Sequence, residues 1–447
     1  MSILILIKRK LTTLPFPIGK AVSLIPYANR PGLGALYRKR QEEIEHLADG
    51  GKCSSETFVY NRVKSIATYA AKNIPFYRDL YSASSVRPER FHRFEDLKDL
   101  PVITKSDLQK VPLEFRSVSG RTRELVNTGG SSGNPLELYI EPNSIPHEWA
   151  HMHAAWKKVG FQQGELRIVF SGRSNINSIV QYDSARHQLN VDIYSGWSKV
   201  ADKLLSVFNR YKPSYLHGYP SSIFDFVLWL EERGHPLLAV FRNEIKGLLL
   251  GSELPSPEIR RRVEMVLGCG SVSWYGHTER AVLAYEETEY GIYNPFMTYG
   301  YAEAVSGWDG HRLVGTSYHN LVSPLIRYDT GDLIEPNIHE GLLKAFSIKQ
   351  GREGEFILDR LGNKIFLTGL IFGRHHGLFE RARHVQIRQI TPGQAEVLIV
   401  PRGEMTPSDA SFLFDSSNVE IDLFFKIIDE PVRTQAGKVP LLVKGLI

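Results

Sequence analysis

Five short segments carry side chains able to bind and activate a nucleotide: NTGGSSGNP at 127–135, WYGHTE at 274–279, RYDTGDL at 327–333, GRE at 351–353, and Lys438 within PVRTQAGKVPLLVK. In the first, Gly130 and Gly133 let backbone N–H groups turn inward toward an anion, and Thr128, Ser131 and Ser132 add hydroxyl donors. The segment lacks the Gly-Lys-Ser/Thr of a Walker-type loop and the helix that should follow it, so alone it also reads as a Gly/Ser hairpin turn. Glu279 is the hard oxygen ligand that Mg²⁺ takes while bridging phosphates, although Thr278 and Glu279 also suit an ordinary helix start. The Asp332 carboxylate can accept two hydrogen bonds from a diol, or cap its own backbone in a turn. The Arg352 guanidinium suits forked contacts with phosphate or ribose. Taken singly, Lys438 is a lysine in a Gly-containing turn.

The order of these segments resembles the adenylate-forming superfamily. TGGSSGNP is similar to its phosphate loop, whose usual form ends in Gly-Lys-Pro. Within the superfamily the likeness is to phenylacetate-CoA ligases and to the CapK-like branch associated with capsular polysaccharide genes. IPFYRDLY at 74–81 and LPVITKSDL at 100–108 extend it over nearly the whole chain. The resemblance implies ATP and Mg²⁺, with Tyr275 and Gly276 beside adenine, Thr278 on the phosphate side, Glu279 on the metal and Asp332 gripping both ribose hydroxyls. Arg327 becomes a structural or phosphate-side neighbour, and Ser252 and Glu253 join the nucleotide-binding set. Lys438 would reach the substrate carboxylate and the α-phosphate as negative charge builds there. The acid pocket would be walled by His217–Ser222, including Tyr219, by Gly251–Glu253, and by Gly276 and His277. His217 and His277 are each readable as a ligand for a substrate oxygen or as a satisfied core or rim histidine. Two positions depart from the family pattern: Asn134 stands where Lys is frequent, and Gly354 where the hinge Asp sits.

The implied reaction is adenylation of a small carboxylic acid, then transfer of the acyl group. CoA is the simplest acceptor by this likeness, making an acyl- or aryl-CoA ligase. An amine or hydroxyl on a glycan, in cell-surface polysaccharide biosynthesis, is the other. A nucleotide-binding homologue without catalysis is a third reading, suggested by Asn134 and Gly354.

Elements must bring these segments together. Val59, Val63, Ile66, Ala67 and Ala70 recur at helical spacing until Ile74-Pro75. A helix is expected from Thr104 or Ser106, and others at Val200–Tyr211 and Ser222–Arg233. Leu166–Phe170, Ile245–Leu250 and Ala395–Val400 read as buried strands. Strands alternating with helices predict an α/β fold. GREGE marks a boundary near 350, and the resemblance implies a large N-terminal domain (1–350) of β-sheets flanked by helices and a small, mobile α+β C-terminal domain (351–447).

Composition fits such an enzyme. With 447 residues, 42% hydrophobic, the chain can bury more than one core. A net charge of +5, mixed along most of the chain, gives no support to nucleic-acid binding. The exception is a basic N-terminal extension (1–50), with eight basic residues and no acidic one before Glu42. Ile3–Ile7 precedes its basic cluster and is too short to span a membrane, so neither a secretory signal nor a transmembrane helix is expected. Two readings of the extension stay open: contact with an anionic membrane surface, or a basic helix packed on its own domain. The expected location is cytoplasmic, with the inner membrane face as the peripheral alternative. Cys53 and Cys269 are expected to be reduced. His147, His151 and His153 have metal-like spacing, but His153 lies off the face shared by the other two.

Overall fold

The computed structural model describes residues 13–49, 52–127, 136–172, 176–307, 310–349, 355–372, 374, 376–432 and 440–443. The Gly/Ser loop at 128–135, Arg352, Gly354 and Lys438 lie outside them.

Three N-terminal helices, α1 (Phe16–Ser23), α2 (Gly34–Asp49) and α3 (Lys52–Asn73), precede α4 (Pro75–Ala83). The face of α3 bearing Val59, Val63, Ile66, Ala67 and Ala70 is buried, as the spacing predicts. Ile74 is held extended ahead of Pro75, which ends α3 and begins α4. Helix α5 (Lys105–Gln109) starts where expected, with Thr104 and Asp107 forming a reciprocal capping box. Strands β1 (Glu124–Asn127) and β2 (Glu137–Ile140) pair antiparallel, and α6 (Ser144–Trp156) follows.

The centre of the molecule alternates strand and helix. It comprises β3 (Arg167–Phe170), β4 (Val180–Asp183), β5 (Gln188–Val191), α7 (Trp197–Tyr211), β6 (Tyr215–Gly218), α8 (Pro220–Glu232), α9 (Leu237–Glu244), β7 (Gly247–Gly251), α10 (Pro257–Leu267) and β8 (Gly270–Gly276). Then come β9 (Leu283–Glu286), β10 (Tyr293–Pro295), β11 (Gly300–Gly307), β12 (Gly310–Ser317), β13 (Tyr328–His339) and β14 (Leu342–Ile348). These strands form a 12-stranded sheet in the order β11-β12-β13-β14-β10-β9-β8-β7-β6-β3-β5-β4. Strands β5, β3, β6, β7 and β8 run parallel. Every residue of β7 is buried, as parallel strands covered by helices on both faces require. The α/β class expected from the alternation is the observed one.

Past residue 354 come a hairpin, β15 (Phe356–Leu358) with β16 (Lys364–Phe366), a short helix α11 (Leu378–Arg381), and a sheet of β17 (Ala382–Thr391), β18 (Gln394–Pro401) and β19 (Asp422–Ile427). Helix α12 (Pro407–Leu413) joins β18 to the parallel β19. Ile357, Ile365, Leu370, Val385 and Val397 belong to the same buried apolar cluster as Ile168, Phe170, Leu204 and Phe226. Polar contacts cross the same boundary. Lys364 pairs with Asp225, Asn418 Nδ2 donates to Asp192 Oδ1 at 2.9 Å, and the Arg374 guanidinium lies 5.0 Å from the Tyr194 ring centre. Gly172 (φ +60°) allows close approach there, since a Cβ on it would fall 2.5 Å from Gly369 Cα.

Candidate functional site

Three parallel strands end side by side, and each delivers one predicted segment at its carboxyl end. Register pairs His217 of β6 with Leu249 of β7, and Gly251 of β7 with Trp274 of β8. The crevice outside the carboxyl ends of parallel strands is where open α/β sheets bind ligands.

After β6 the chain turns sharply. Gly218 has φ +138°, and a Cβ on it would sit 2.0 Å from Phe170 O, so only glycine fits. Tyr219-Pro220 then starts α8. Glu253, just past β7, turns back so that its Oε2 accepts from Ser221 N at 3.0 Å in the first turn of α8. This carboxylate complements the positive end of the helix, which is therefore not a phosphate site. Glu253 Oε1, Ser221 Oγ and Ser222 Oγ are buried with no protein partner among the described residues. Buried polar atoms without partners mark a place where a ligand or water must bond.

The wall beside them is aromatic. Gly251 leaves room for Trp274, whose indole Cζ2 would lie 2.4 Å from a Cβ at 251. Ring centres of Trp274 lie 5.8 Å from Trp156 and 5.6 Å from His217. Arg167 Nη1 donates to His217 Nδ1 at 3.2 Å, which leaves that nitrogen as the acceptor. Sequence reasoning assigned no role to Trp274. Its signal was the alternation along β8, which puts Trp274 and Tyr275 on opposite faces of the sheet.

Tyr275 packs edge-on to Phe346 and donates its hydroxyl to Asp332 Oδ2 at 2.6 Å. Burial and the Asp332 charge push the Tyr275 hydroxyl well above its ordinary pKa, so it remains a donor. Asp332 sits on β13 beside Gly331 (φ +83°), and its N–H donates to Thr330 Oγ1, which in turn donates to Leu313 O at 2.9 Å. The turn after β8 is closed by Arg280 N–H to His277 O at 3.0 Å, with Arg280 at φ +55°, and Thr278 is exposed at its tip.

Glu279 lies just inside that turn. His277 Nδ1 is 3.2 Å from its Oε2, and the Tyr328 hydroxyl donates to its Oε1 at 3.3 Å. Val282 N–H donates to His277 Nε2 at 3.2 Å, so that nitrogen carries no proton and Nδ1–H is the donor to Glu279. Both nitrogens of His277 are therefore used within the protein. It orients Glu279, in keeping with the second of its two readings, a satisfied histidine at the rim. Burial works against ionisation of Glu279, but the His277 bond and the Lys105 charge outweigh it and bring the carboxyl down to about 2.

Arg327 is structural. At φ +48° its Nε meets Glu303 Oε2 at 3.1 Å, and its Nη1 donates to Lys98 O and Leu100 O. That commits it to clamping the N-terminal segment rather than facing a phosphate. The three histidines of α6 are internal as well. His151 bonds Thr298 Oγ1 and His147 O, His153 bonds the Tyr37 hydroxyl, and burial lowers both imidazoles to about 3. Among the described residues no group of three His, Cys, Asp or Glu side chains could hold a metal. A lone ionised Glu279, with one lone pair left on each oxygen, fits Mg²⁺ only as it is carried by nucleotide phosphates.

No family model matches the chain. It is 21% identical over 305 residues to Protein CapK of Staphylococcus aureus, covering 66% of this chain and 65% of that protein. It is 24% identical over 294 residues to the phenylacetate-coenzyme A ligase of Escherichia coli (strain K12), covering 61% of this chain and 65% of that one. The match thus spans just under two thirds of the length of both relatives. Among solved structures, 2-hydroxyisobutyryl-CoA ligase in complex with 2-HIB-AMP and CoA superposes with a TM-score of 0.54 at 17% identity, over 88% of this chain and 90% of that one. The same ligase with R3-HIB-AMP gives 0.52 at 15% identity, over 87% and 89%. Among the described residues, no helix is long and apolar enough to cross a membrane.

Proposed function

We infer that this chain, a member of the adenylate-forming superfamily on the branch of the phenylacetate-CoA ligases and CapK, adenylates a carboxylic acid and passes the acyl group to an acceptor. The observation that supports this most is the double latch between two distant segments, Tyr275 to Asp332 and Tyr328 to Glu279. It links the carboxylate assigned to the ribose, Asp332, with the one assigned to the phosphate side, Glu279, through the tyrosines of β8 and β13, which supports an ATP held by both its ribose and its phosphates.

In this reading Asp332 takes the ribose hydroxyls, oriented by Tyr275, whose ring lies beside adenine. Glu279, oriented by His277, would hold Mg²⁺ carried by the phosphates, and the metal would offset phosphate charge there. Thr278 and the loop residues Thr128, Gly130, Ser131, Ser132 and Gly133 donate to the phosphates; Arg352 contacts ribose or phosphate. The aromatic wall of Trp274 and His217 takes the acid, with its carboxylate toward the α-phosphate and any hydroxyl it carries toward Ser221, Ser222 and Glu253. A carboxylate oxygen attacks the α-phosphorus, the bond to the β-phosphate oxygen breaks and pyrophosphate leaves, with Lys438 stabilising the added charge. The acceptor heteroatom then attacks the acyl carbon, loses its proton, and AMP departs.

CoA thiol is one acceptor, giving an acyl- or aryl-CoA ligase. An amine or hydroxyl of a glycan is the other, placing the enzyme in surface-polysaccharide synthesis on the cytoplasmic side, peripheral to the membrane. Residues 351–447 form the mobile unit of this reading, and their rotation would have to part Ile357 and Ile365 from the core they share with Phe170 and Phe226.

A panel of carboxylic acids assayed for acid-dependent pyrophosphate release tests the first step, and absence of release for every acid would favour a non-catalytic nucleotide-binding protein. Mass spectrometry after adding CoA or candidate amines, looking for AMP with thioester or amide, separates the acceptors. Asp332→Ala should raise KM for ATP roughly 10- to 100-fold, the worth of one or two charge-assisted hydrogen bonds, with a smaller effect on kcat. An unchanged KM would remove Asp332 from the ribose.

A further inference from the structure

Helix α1 turns aliphatic side chains outward. Gly19, Ser23 and the Phe16 ring lie against the body, whereas Ile18 and Val22 on α1 and Leu24 and Ile25 just past it are 52%, 36%, 69% and 45% exposed. A helix that packs only on its own domain turns such side chains inward. Nor can this helix roll its aliphatic residues inward. A Cβ at Gly19 would lie 2.3 Å from the Tyr182 hydroxyl and 2.8 Å from Ser184 Cβ, so its backbone already rests on β4 and the turn after it. Leu14 N–H donates to Ser184 Oγ at 3.0 Å, and the Phe16 ring is wedged 5.2 Å from Tyr182 and 4.7 Å from Tyr211. Beyond the helix, Tyr27 N–H donates to Gln163 Oε1 at 2.8 Å. The aliphatic ridge is thus pinned outward from both ends. A recess of about 620 Å³ shares Ser23, Leu24 and Pro26 with it and is also lined by Lys157, Phe161 and Gln162.

We propose that this face docks on an anionic lipid bilayer, with Ile18, Val22, Leu24 and Ile25 entering the headgroup–acyl boundary. Charge singles out this occupant. Lys20 is exposed on α1 itself, Arg30 Nε donates to Ile25 O at 3.2 Å beside the ridge, and the chain has no acidic residue before Glu42. Residues 1–12 carry Ile3–Ile7 and would be the intramolecular cover, but they would bring Lys8, Arg9 and Lys10 beside Lys20 and Arg30. A second copy would likewise oppose two positive faces. A bilayer rich in anionic lipid presents the opposite charge together with an apolar layer at the depth a short amphipathic helix reaches. The proposal does not depend on the reaction assigned above.

Vesicle co-sedimentation of the full chain tests it, with phosphatidylcholine vesicles compared with vesicles also containing phosphatidylglycerol. The protein should partition onto the anionic vesicles, less so as salt is raised. A variant with Ile18→Ser, Val22→Ser, Leu24→Ser and Ile25→Ser should bind at least about tenfold more weakly, and Lys20→Glu about fivefold or more. All five positions are exposed, so thermal unfolding and lipid-free pyrophosphate release should match the native protein. Four results would each overturn the proposal: no binding to anionic vesicles, equal binding by the four-serine variant, binding only after residues 2–12 are deleted, or a native dimer that the serine variant dissociates.

Discussion

Glu279→Gln is expected to lower acid-dependent pyrophosphate release roughly 100- to 1,000-fold, the range seen when a group that stabilises charge in a transition state is lost. Glutamine keeps the shape of glutamate: its carbonyl oxygen can accept from His277 Nδ1 and its amide N–H can donate to the Tyr328 hydroxyl oxygen, so the latch to β13 should survive and the loss should report mainly the charge. The measurement is initial rate against Mg²⁺ concentration, in which the variant should need more Mg²⁺ as well as turn over more slowly. Lys438→Ala should produce a loss of similar size, about 100-fold or more, but confined to adenylation, with transfer from preformed acyl-AMP spared. Native-like pyrophosphate release from both variants would remove Glu279 and Lys438 from the reaction. The pH dependence follows from the same environment. With its carboxyl brought down to about 2 from an ordinary 4.5, Glu279 contributes stability that is fully present above about pH 4.5 and is lost as pH falls toward 2. Glu279→Gln should therefore flatten acid unfolding in that window. The native rate profile should show no acid limb near 4.5 arising from this residue.

Arg260→Ala should destabilise the protein by about 3–5 kcal/mol, because it strands a buried carboxylate. Arg260 is 1% exposed and Glu286 is 0% exposed, and Nη1 lies 2.7 Å from Oε2. Arg260 Nε also donates to Ser271 Oγ at 2.5 Å, and its guanidinium stacks 3.8 Å from the Tyr290 ring centre. Glu286 in turn accepts from Ser273 N–H and Gly291 N–H. The network ties α10 to β8 and β9, the strands flanking the Tyr275–Glu279 turn, so stability and site geometry should fall together. Denaturant unfolding reads the effect, and a change under about 1 kcal/mol would contradict it. The double variant Arg260→Met with Glu286→Leu should recover much of the loss, since it removes both charges from the interior.

The local elements were legible. The buried stripe of α3, its end at Ile74-Pro75, the capping box at Thr104 and the buried strands near 166–170 and 245–250 follow from interactions among residues a few positions apart. The motif residues on β8 and β13 were legible one by one, from the chemistry of each side chain. Their partners were not. That Tyr275 donates to Asp332, that Glu253 caps α8, and that Arg327 is spent on Glu303 and two carbonyls near residue 100 all depend on which strands lie adjacent. Trp274 went unassigned because its importance comes from Gly251 across the β7–β8 ladder.

The amino-acid sequence by itself determined the α/β class, the order of the five motif segments and a basic, apolar N-terminus. Propensity, capping and side-chain chemistry act within a few residues, which is enough for that much. Only the tertiary structure decided that His277 serves Glu279, that Ile357, Ile365, Leu370, Val385 and Val397 share a core with the central sheet, and that α1 turns Gly19 inward and its aliphatic side chains outward. Each of these rests on contacts between residues far apart in the chain, where sheet register and close packing select one arrangement among many that the local signals allow.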